Sequence, residues 1–309
     1  MQPCFKCDQL LPEDAQFCPN CGNSAPVPVD PDCPRCDNPL PPGAKFCPAC
    51  GLPVAPPERP KGALPVSVIT EREVRDGFAQ AFQHYFGEEY PKLPIERVRE
   101  RLAASPFQKV LDNKLAQLQR DTLFMLDREQ PPAAQWSYLA YAFYDLLDYF
   151  TIRYCQDLTG DPLPEAILKY QNKTRREINL FQLIFDYLEL ETTDRRVYTD
   201  FIRDMPKEKL RNASHSFLFP PKDERILFIS DQSTFGSLRE GYAMTEAAIY
   251  WKAHFEKPAH VRFDNLREIK RQEKWITING LYFNVSPALN LRMLKLLRKL
   301  QFLYNPALV

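Results

Sequence analysis

Eight of the nine cysteines in this chain fall within its first fifty residues, at Cys4, Cys7, Cys18 and Cys21 and again at Cys33, Cys36, Cys47 and Cys50. The second quartet is the first displaced by 29 residues. The same displacement carries Asp8 onto Asp37, Leu11 onto Leu40, Pro12 onto Pro41, Ala15 onto Ala44, Phe17 onto Phe46, Pro19 onto Pro48 and Gly22 onto Gly51, so the segment is an internal repeat. Each unit reads C-x-x-C, ten residues, C-x-x-C. A unit of roughly twenty residues has almost no interior, and its folding energy must come from a cross-link or a bound metal.

The spacing selects the metal. Two thiolates two residues apart on a tight turn grip one side of a tetrahedral ion, and a second such turn completes the shell. Disulfides are disfavoured in the reducing cytosol, where this chain is expected: residues 1–7 hold neither the basic stretch nor the apolar run of a secretory signal. Two structural Zn2+ ions are therefore expected, one in each quartet, with apparent binding free energies of ~10–16 kcal/mol in comparable peptides. All four ligands of each site are protein groups, so no position is left for water or substrate and catalysis at the metal is not expected. Gly22 and Gly51 follow the last ligand, where the missing Cβ lets backbone amides turn toward sulfur. An iron centre held by four thiolates has the same ligand set, so the sequence names the ligands more firmly than the ion.

Leu11-Pro12-Glu13-Asp14-Ala15-Gln16-Phe17-Cys18-Pro19-Asn20-Cys21-Gly22 and its repeat from Leu40 to Gly51 resemble the double zinc ribbon modules common in bacterial and archaeal proteins. The resemblance covers residues 1–54 and departs from the pattern at Asp8 and Asp37, where glycine is frequent. It implies an adaptor module and leaves the partner open.

The chain balances 40 basic against 40 acidic residues, so charge must be read by region. Residues 1–60 carry four basic and seven acidic side chains, which repels phosphate and points to a protein partner rather than nucleic acid. Residues 55–65, Ala-Pro-Pro-Glu-Arg-Pro-Lys-Gly-Ala-Leu-Pro, form a proline-stiffened tether, and the linker is assigned to residues 55–68. Beyond it an all-α helical domain is expected over residues 69–206. Thr70 and Glu73 form a capping box ahead of a helix over 70–86, and apolar residues at three- and four-residue steps predict helices at 95–104, 107–128, 133–158, 164–190 and 194–204. The apolar run from Tyr138 to Ile152 is broken by Asp145 and Asp148 and is too short to span a bilayer, so no transmembrane segment is expected. Cys155 reads as a small core residue, and Trp136, Tyr138, Tyr141 and Tyr144 read as packing.

After Pro220-Pro221 the pattern alternates, predicting strands at 226–230, 241–245, 248–252, 260–263, 267–271, 274–279 and 281–285. Asn279-Gly280 marks a hairpin. From Pro287 a helix follows, with Met293, Leu296, Leu297, Leu300 and Leu303 on one stripe and Arg292, Lys295, Arg298 and Lys299 expected to face outward. Gly241 to Thr245, Ala248 to Trp251 and Val261 to Ile269, preceded by the turn Asp231 to Ser237, resemble bacterial PH-like and GRAM-type domains over residues 207–304. That resemblance implies a β-barrel closed by a C-terminal helix in a domain at 207–309, acting in binding or self-association without catalytic residues.

The expected fold is thus multidomain α+β: tandem zinc ribbons, a helical bundle and a PH-like barrel. The expected function is that of a non-catalytic, cytoplasmic zinc-binding adaptor that meets protein partners. The alternative is a regulator acting on anionic lipid or nucleic acid through the last domain, where residues 221–309 carry 14 basic against 9 acidic side chains. Interleaved Glu256, Asp264, Glu268 and Glu273 weigh against it, and peripheral membrane contact is not favoured. His84, His215, His254 and His260 show no metal spacing, and no phosphate-binding glycine loop or G-x-S-x-G elbow occurs, so no enzyme is expected.

Overall fold

The computed structural model describes residues 2–3, 10–11, 68–160, 162–190, 196–199 and 205–305. The chain divides into two compact units, Met1–Pro65 and Val66–Val309. In the first, β1 (Gln2–Pro3) pairs antiparallel with β2 (Leu10–Leu11).

In the second unit α1 (Glu71–Glu89) starts at the expected capping box: Thr70 accepts from the Glu73 amide while the Glu73 carboxylate accepts from the Thr70 amide. Its buried face carries Val74, Phe78, Phe82, Tyr85 and Phe86, and it packs on α3 (Phe107–Asp127) and α4 (Pro132–Tyr154), with α2 (Ile95–Ala104) between α1 and α3 in sequence. The helix expected over 133–158 stops at Tyr154. Cys155 leaves helical geometry at φ −126°, and the short α5 (Gln156–Thr159) ends at Gly160 with φ +74°.

The helix expected over 164–190 is replaced by two short 3-10 turns, Glu165–Tyr170 and Arg175–Glu177, followed by α6 (Leu180–Leu188). The physical reasons are local. Asn172 adopts φ +55°, its amide is held by the Asp145 carboxylate, and Thr174 and Asn179 each cap a new start. The helix expected over 194–204 is likewise not formed at its described residues, where β3 (Val197–Tyr198) pairs with Ile229 and Ser230.

After α7 (Lys207–Ser216) come β4 (Ile226–Asp231), β5 (Gly241–Thr245), β6 (Ala248–Lys252) and β7 (Ala259–Arg262), which with β3 make a five-stranded antiparallel sheet in the order β3-β4-β5-β6-β7. β8 (Ile269–Arg271), β9 (Ile276–Ile278) and β10 (Leu281–Phe283) form a separate three-stranded sheet. The expected barrel is therefore corrected to two open antiparallel sheets. A 3-10 turn at Phe263–Asn265 carries the chain off the edge of the first sheet before the second begins.

The central strands β5 and β6 are buried on both faces, which explains their nearly continuous apolar sequence. Tyr242, Met244, Ile249 and Trp251 face the large core, while Ala243, Ala248 and Tyr250 face a smaller one with Ala213 of α7. Gly241 sits at φ +150°, and a Cβ there would lie 2.0 Å from the carbonyl oxygen of Ser230. At the β9–β10 turn Asn279 and Gly280 take φ +51° and +80°, as the sequence required.

α8 (Pro287–Tyr304) completes the unit, capped by Ser286 accepting from the Leu289 amide. Met293, Leu296, Leu297, Leu300 and Leu303 are all buried. A single apolar cluster runs from Ile69 and Phe86 through Leu183 and Tyr242 to Leu303, joining helices and sheets.

Candidate functional site

The eight cysteines expected to hold metal, Cys4, Cys7, Cys18, Cys21, Cys33, Cys36, Cys47 and Cys50, lie outside the described residues. Around them the structure supplies one fact: β1 and β2 run antiparallel on either side of the first C-x-x-C in sequence. The donor set itself, two quartets of soft thiolates with tetrahedral spacing, suits Zn2+. The ninth thiol, Cys155, is fully buried, and burial pushes it up to about 12, which holds it in the unreactive thiol form near neutral pH. Among the described residues no cluster of His, Cys, Asp and Glu is arranged to hold a metal.

The described unit holds its own concentration of chemistry, and it overturns one expectation about α8. Arg292, Lys295, Arg298 and Lys299 do not face outward: Lys295 and Lys299 are 3% and 5% exposed, and the other two are half-buried. The reason is a set of acids on the opposing helices. Glu88 and Glu89 end α1, while Asp145 and Asp148 stand three residues apart on α4 and so share a face.

Lys295 inserts between two of them. Its Nζ donates to Asp148 Oδ1 at 2.5 Å and pairs with Glu89 Oε2, and it lies 3.6 Å over the ring of Tyr85. The Tyr85 hydroxyl donates to Asp148 Oδ1 at 2.7 Å and accepts from the Thr151 hydroxyl at 3.1 Å. Burial, then the Asp148 charge, pushes this phenol well above its ordinary range, so it remains a donor. Arg298 completes the cluster by donating to Glu88 at 2.9 Å and to Glu89, whose backbone carbonyl accepts from Arg271. Arg292 pairs with Glu189 at the end of α6.

Lys299, one turn further along α8, is different. Its Nζ is 3.6 Å from Asp145 Oδ1 and 4.4 Å over the ring of Tyr141, yet it has no hydrogen-bond partner. Burial lowers it to about 7. Asp145 is shifted the opposite way, well above the carboxylate range, again chiefly by burial, while its Oδ2 accepts from the Asn172 amide at 3.0 Å. The hydroxyl of Tyr141 is also buried without a partner.

These groups line a cavity of about 280 Å³ between α1, α4, α8 and the start of β8. Its mouth carries His84, Arg267, Glu268 and Lys270. A second cavity of about 670 Å³ lies on the far side of Tyr141, Asp145 and Phe302, and the stacked rings of Tyr141 and Phe302, 3.3 Å between centroids, form the partition.

The basic residues of the last segment are largely engaged. Arg262 pairs with Asp264 at 3.1 Å and Lys270 with Glu268 at 2.7 Å, while Arg271 is committed to the carbonyl of Glu89. Two of the interleaved acids, Asp264 and Glu268, are thus paired with neighbouring cations.

Sequence reasoning missed the Lys295–Lys299 face and Tyr141. The available signal was the pair of acids interrupting the apolar run at Asp145 and Asp148, set against cations at i, i+3 and i+4 in an otherwise apolar helix.

With this geometry established, the comparisons place the amino-terminal segment in a class: the double zinc ribbon family model matches residues 4–51, a span that contains all eight cysteines. The match implies zinc as the ion of this segment. No curated protein and no solved structure matches the chain. Among the described residues no helix is long and apolar enough to cross a membrane.

Proposed function

We propose that this chain is a zinc-dependent, non-catalytic adaptor: two Cys4 ribbons, each closing around one Zn2+, recognise a protein partner at the end of a proline-rich tether. The observation that carries the reading is the doubled C-x-x-C repeat inside residues 4–51, whose ligand shells leave no open coordination position. In each quartet the four sulfurs fix the fold of a segment too short to fold otherwise, and the metal supplies charge neutralisation and cross-linking. The acidic balance of residues 1–60 favours a protein surface over phosphate. Thiols kept free for metal suit a reducing compartment such as the cytoplasm.

The larger unit serves this reading as a scaffold. The helix after the strands, with the turn at Asp231, supports a PH-like relationship for residues 207–309 and a role in docking or self-association. The carboxylates paired to Arg262 and Lys270 count against an anionic lipid or nucleic acid as partner.

Affinity capture from the native host, using the full chain and a full chain carrying Cys4→Ser and Cys33→Ser, tests the proposal. A partner retained by the first and lost by the second is the expected result. Elemental analysis of the purified full chain should give two zinc ions per molecule. Identical capture by both chains, or thiols found bonded to one another, overturns the reading.

A further inference from the structure

The cavity beside Lys299 is a structural element that the adaptor reading does not use, and three features make it a built site. First, two residues of its lining, Lys299 and Tyr141, are 5% and 8% exposed and bury an unsatisfied polar atom each, the Lys299 Nζ and the Tyr141 hydroxyl. An unpaired buried donor costs about 1–3 kcal/mol, more when charged, and such groups persist where a partner completes them. Second, the groups that converge are donors. Lys299 in its ammonium form and the Tyr141 hydroxyl both have hydrogens to give, and burial raises the neighbouring Asp145 carboxyl well above its usual range, which weakens its claim on Lys299. Third, the other charges facing the cavity are already engaged: Lys295 with Asp148 and Glu89, Arg298 with Glu88 and Glu89, and Lys270 with Glu268. The side chain of the exposed Arg267 at the mouth donates to Asn265 and adds positive potential at the entrance.

Converging donors without a matching acceptor call for an oxyanion, and the walls of Tyr141, Tyr144, Tyr187, Ile269 and Phe302 call for an apolar or aromatic body behind it. A volume of about 280 Å³ suits a small molecule. We infer that this cavity binds a small organic acid, its carboxylate taken by Lys299 and Tyr141 and its unsaturated body laid against the Tyr141–Phe302 wall.

Binding then draws a proton from solvent. Empty, the buried amine is divided between its neutral and charged forms near pH 7; a carboxylate in contact holds it charged. The groups that face the cavity are His84 and Glu88 on α1, Asp145, Asp148, Tyr141 and Tyr144 on α4, Tyr187 on α6, Lys295 and Arg298 on α8 itself, Arg267 with Glu268 ahead of β8, and Lys270 on it. The carboxylate paired with Lys299 is that of Asp145, at 3.6 Å. Affinity for a carboxylate should thus fall about tenfold per pH unit above pH 7.

The test uses the full chain with benzoate and cinnamate as probes and benzamide and cinnamamide as neutral isosteres, followed by calorimetry and ligand-observed NMR. Saturable binding of the acids at one site, at least about tenfold stronger than of the amides, is expected. Lys299→Met should weaken it at least about tenfold, Lys299→Arg should retain part of it, and Tyr141→Phe should weaken it severalfold in a chain whose charge is unchanged. Near-ultraviolet circular dichroism checks that each variant is folded. The inference fails if neither acid binds, if the amides bind equally, if Lys299→Met and Tyr141→Phe both bind as the parent does, or if affinity is flat from pH 6 to pH 9. Partner capture by the ribbons is unaffected by any of these outcomes, so the two proposals stand or fall separately.

Discussion

Replacing Lys295 by Met probes the charged cluster under α8 most directly. Met matches the length and volume of the lysine stem, so the change removes a charge without opening a cavity. In the parent the Lys295 side chain is 2% exposed and bridges Glu89, whose side chain is 0% exposed, to Asp148, at 11%. Without it Asp148 keeps only the hydroxyl of Tyr85, and Glu89 keeps only Arg298 and leaves one oxygen bare. Deleting one partner of a buried ion pair costs about 3–5 kcal/mol, because the remaining charge is stranded in a poorly solvating interior. At about 2–4 °C per kcal/mol for a unit of this size, the expected fall in midpoint is roughly 6–20 °C. All three tryptophans, Trp136, Trp251 and Trp275, lie in this unit, so fluorescence during urea unfolding reports on it alone. The companion Asp148→Asn removes the stranded charge, and the double variant should recover about 1–3 kcal/mol relative to the sum of the singles. The deficit should also persist from 0.1 to 1 M salt, since buried pairs are weakly screened. A loss under about 1 kcal/mol, or strict additivity in the double variant, refutes the description of this cluster as one buried, mutually dependent network.

Three other outcomes follow from the same geometry. Gly241→Ala sets a Cβ against the Ser230 carbonyl at a strained φ and should cost about 3 kcal/mol or more in urea unfolding; a neutral effect would contradict the β4–β5 register. Cys155, buried and pushed up to about 12, should escape alkylation by iodoacetamide at pH 8 in the native chain and react only in urea, as peptide mass spectrometry will show. For Lys299 the sign is set by a folded value of about 7 lying below the unfolded one. From the unfolded value down to about pH 7 the unfolded chain binds more protons, so stability falls with falling pH across that window and levels off below it. Lys299→Met should accordingly be more stable than the parent by a few kcal/mol near pH 7, with the advantage shrinking toward pH 10, and a gain independent of pH would exclude the lysine's burial as its cause.

Local rules made much of this fold legible. Thr70 and Glu73 announced α1 because both halves of a capping box are written within four residues, and Asn279-Gly280 announced its turn because those two types tolerate positive φ. Strands 241–245 and 248–252 were read at their true bounds from composition and spacing. The 164–190 segment misled for an equally physical reason. Its apolar steps are helical, but the Asp145 carboxylate, lying on another helix, holds the amide of Asn172 in a turn, and no window of sequence contains both residues. The closed barrel failed similarly, since strand spacing does not say which edges find partners.

The charged face of α8 shows where such rules stop. Helical periodicity assigns cations opposite an apolar stripe to solvent, an assignment that holds only while nothing of opposite charge covers them. Lys295 meets Asp148 across 147 positions and Arg298 meets Glu89 across 209, so the information that inverts the helix's outer face lies in two distant helices. Each half alone looks like an error: acids in an apolar run, cations on a helix whose neighbours are leucines. Together they cancel, and the cancellation fixes the rotation and register of α8 more tightly than leucines could, because a shift by one residue would strand four charges at once, whereas apolar contacts re-form with little loss. Lys299 belongs to the same face, yet its nearest carboxylate stands beyond hydrogen-bond reach at 3.6 Å. A face that satisfies its other cations and spares this one, over a cavity, has its remaining partner outside the chain.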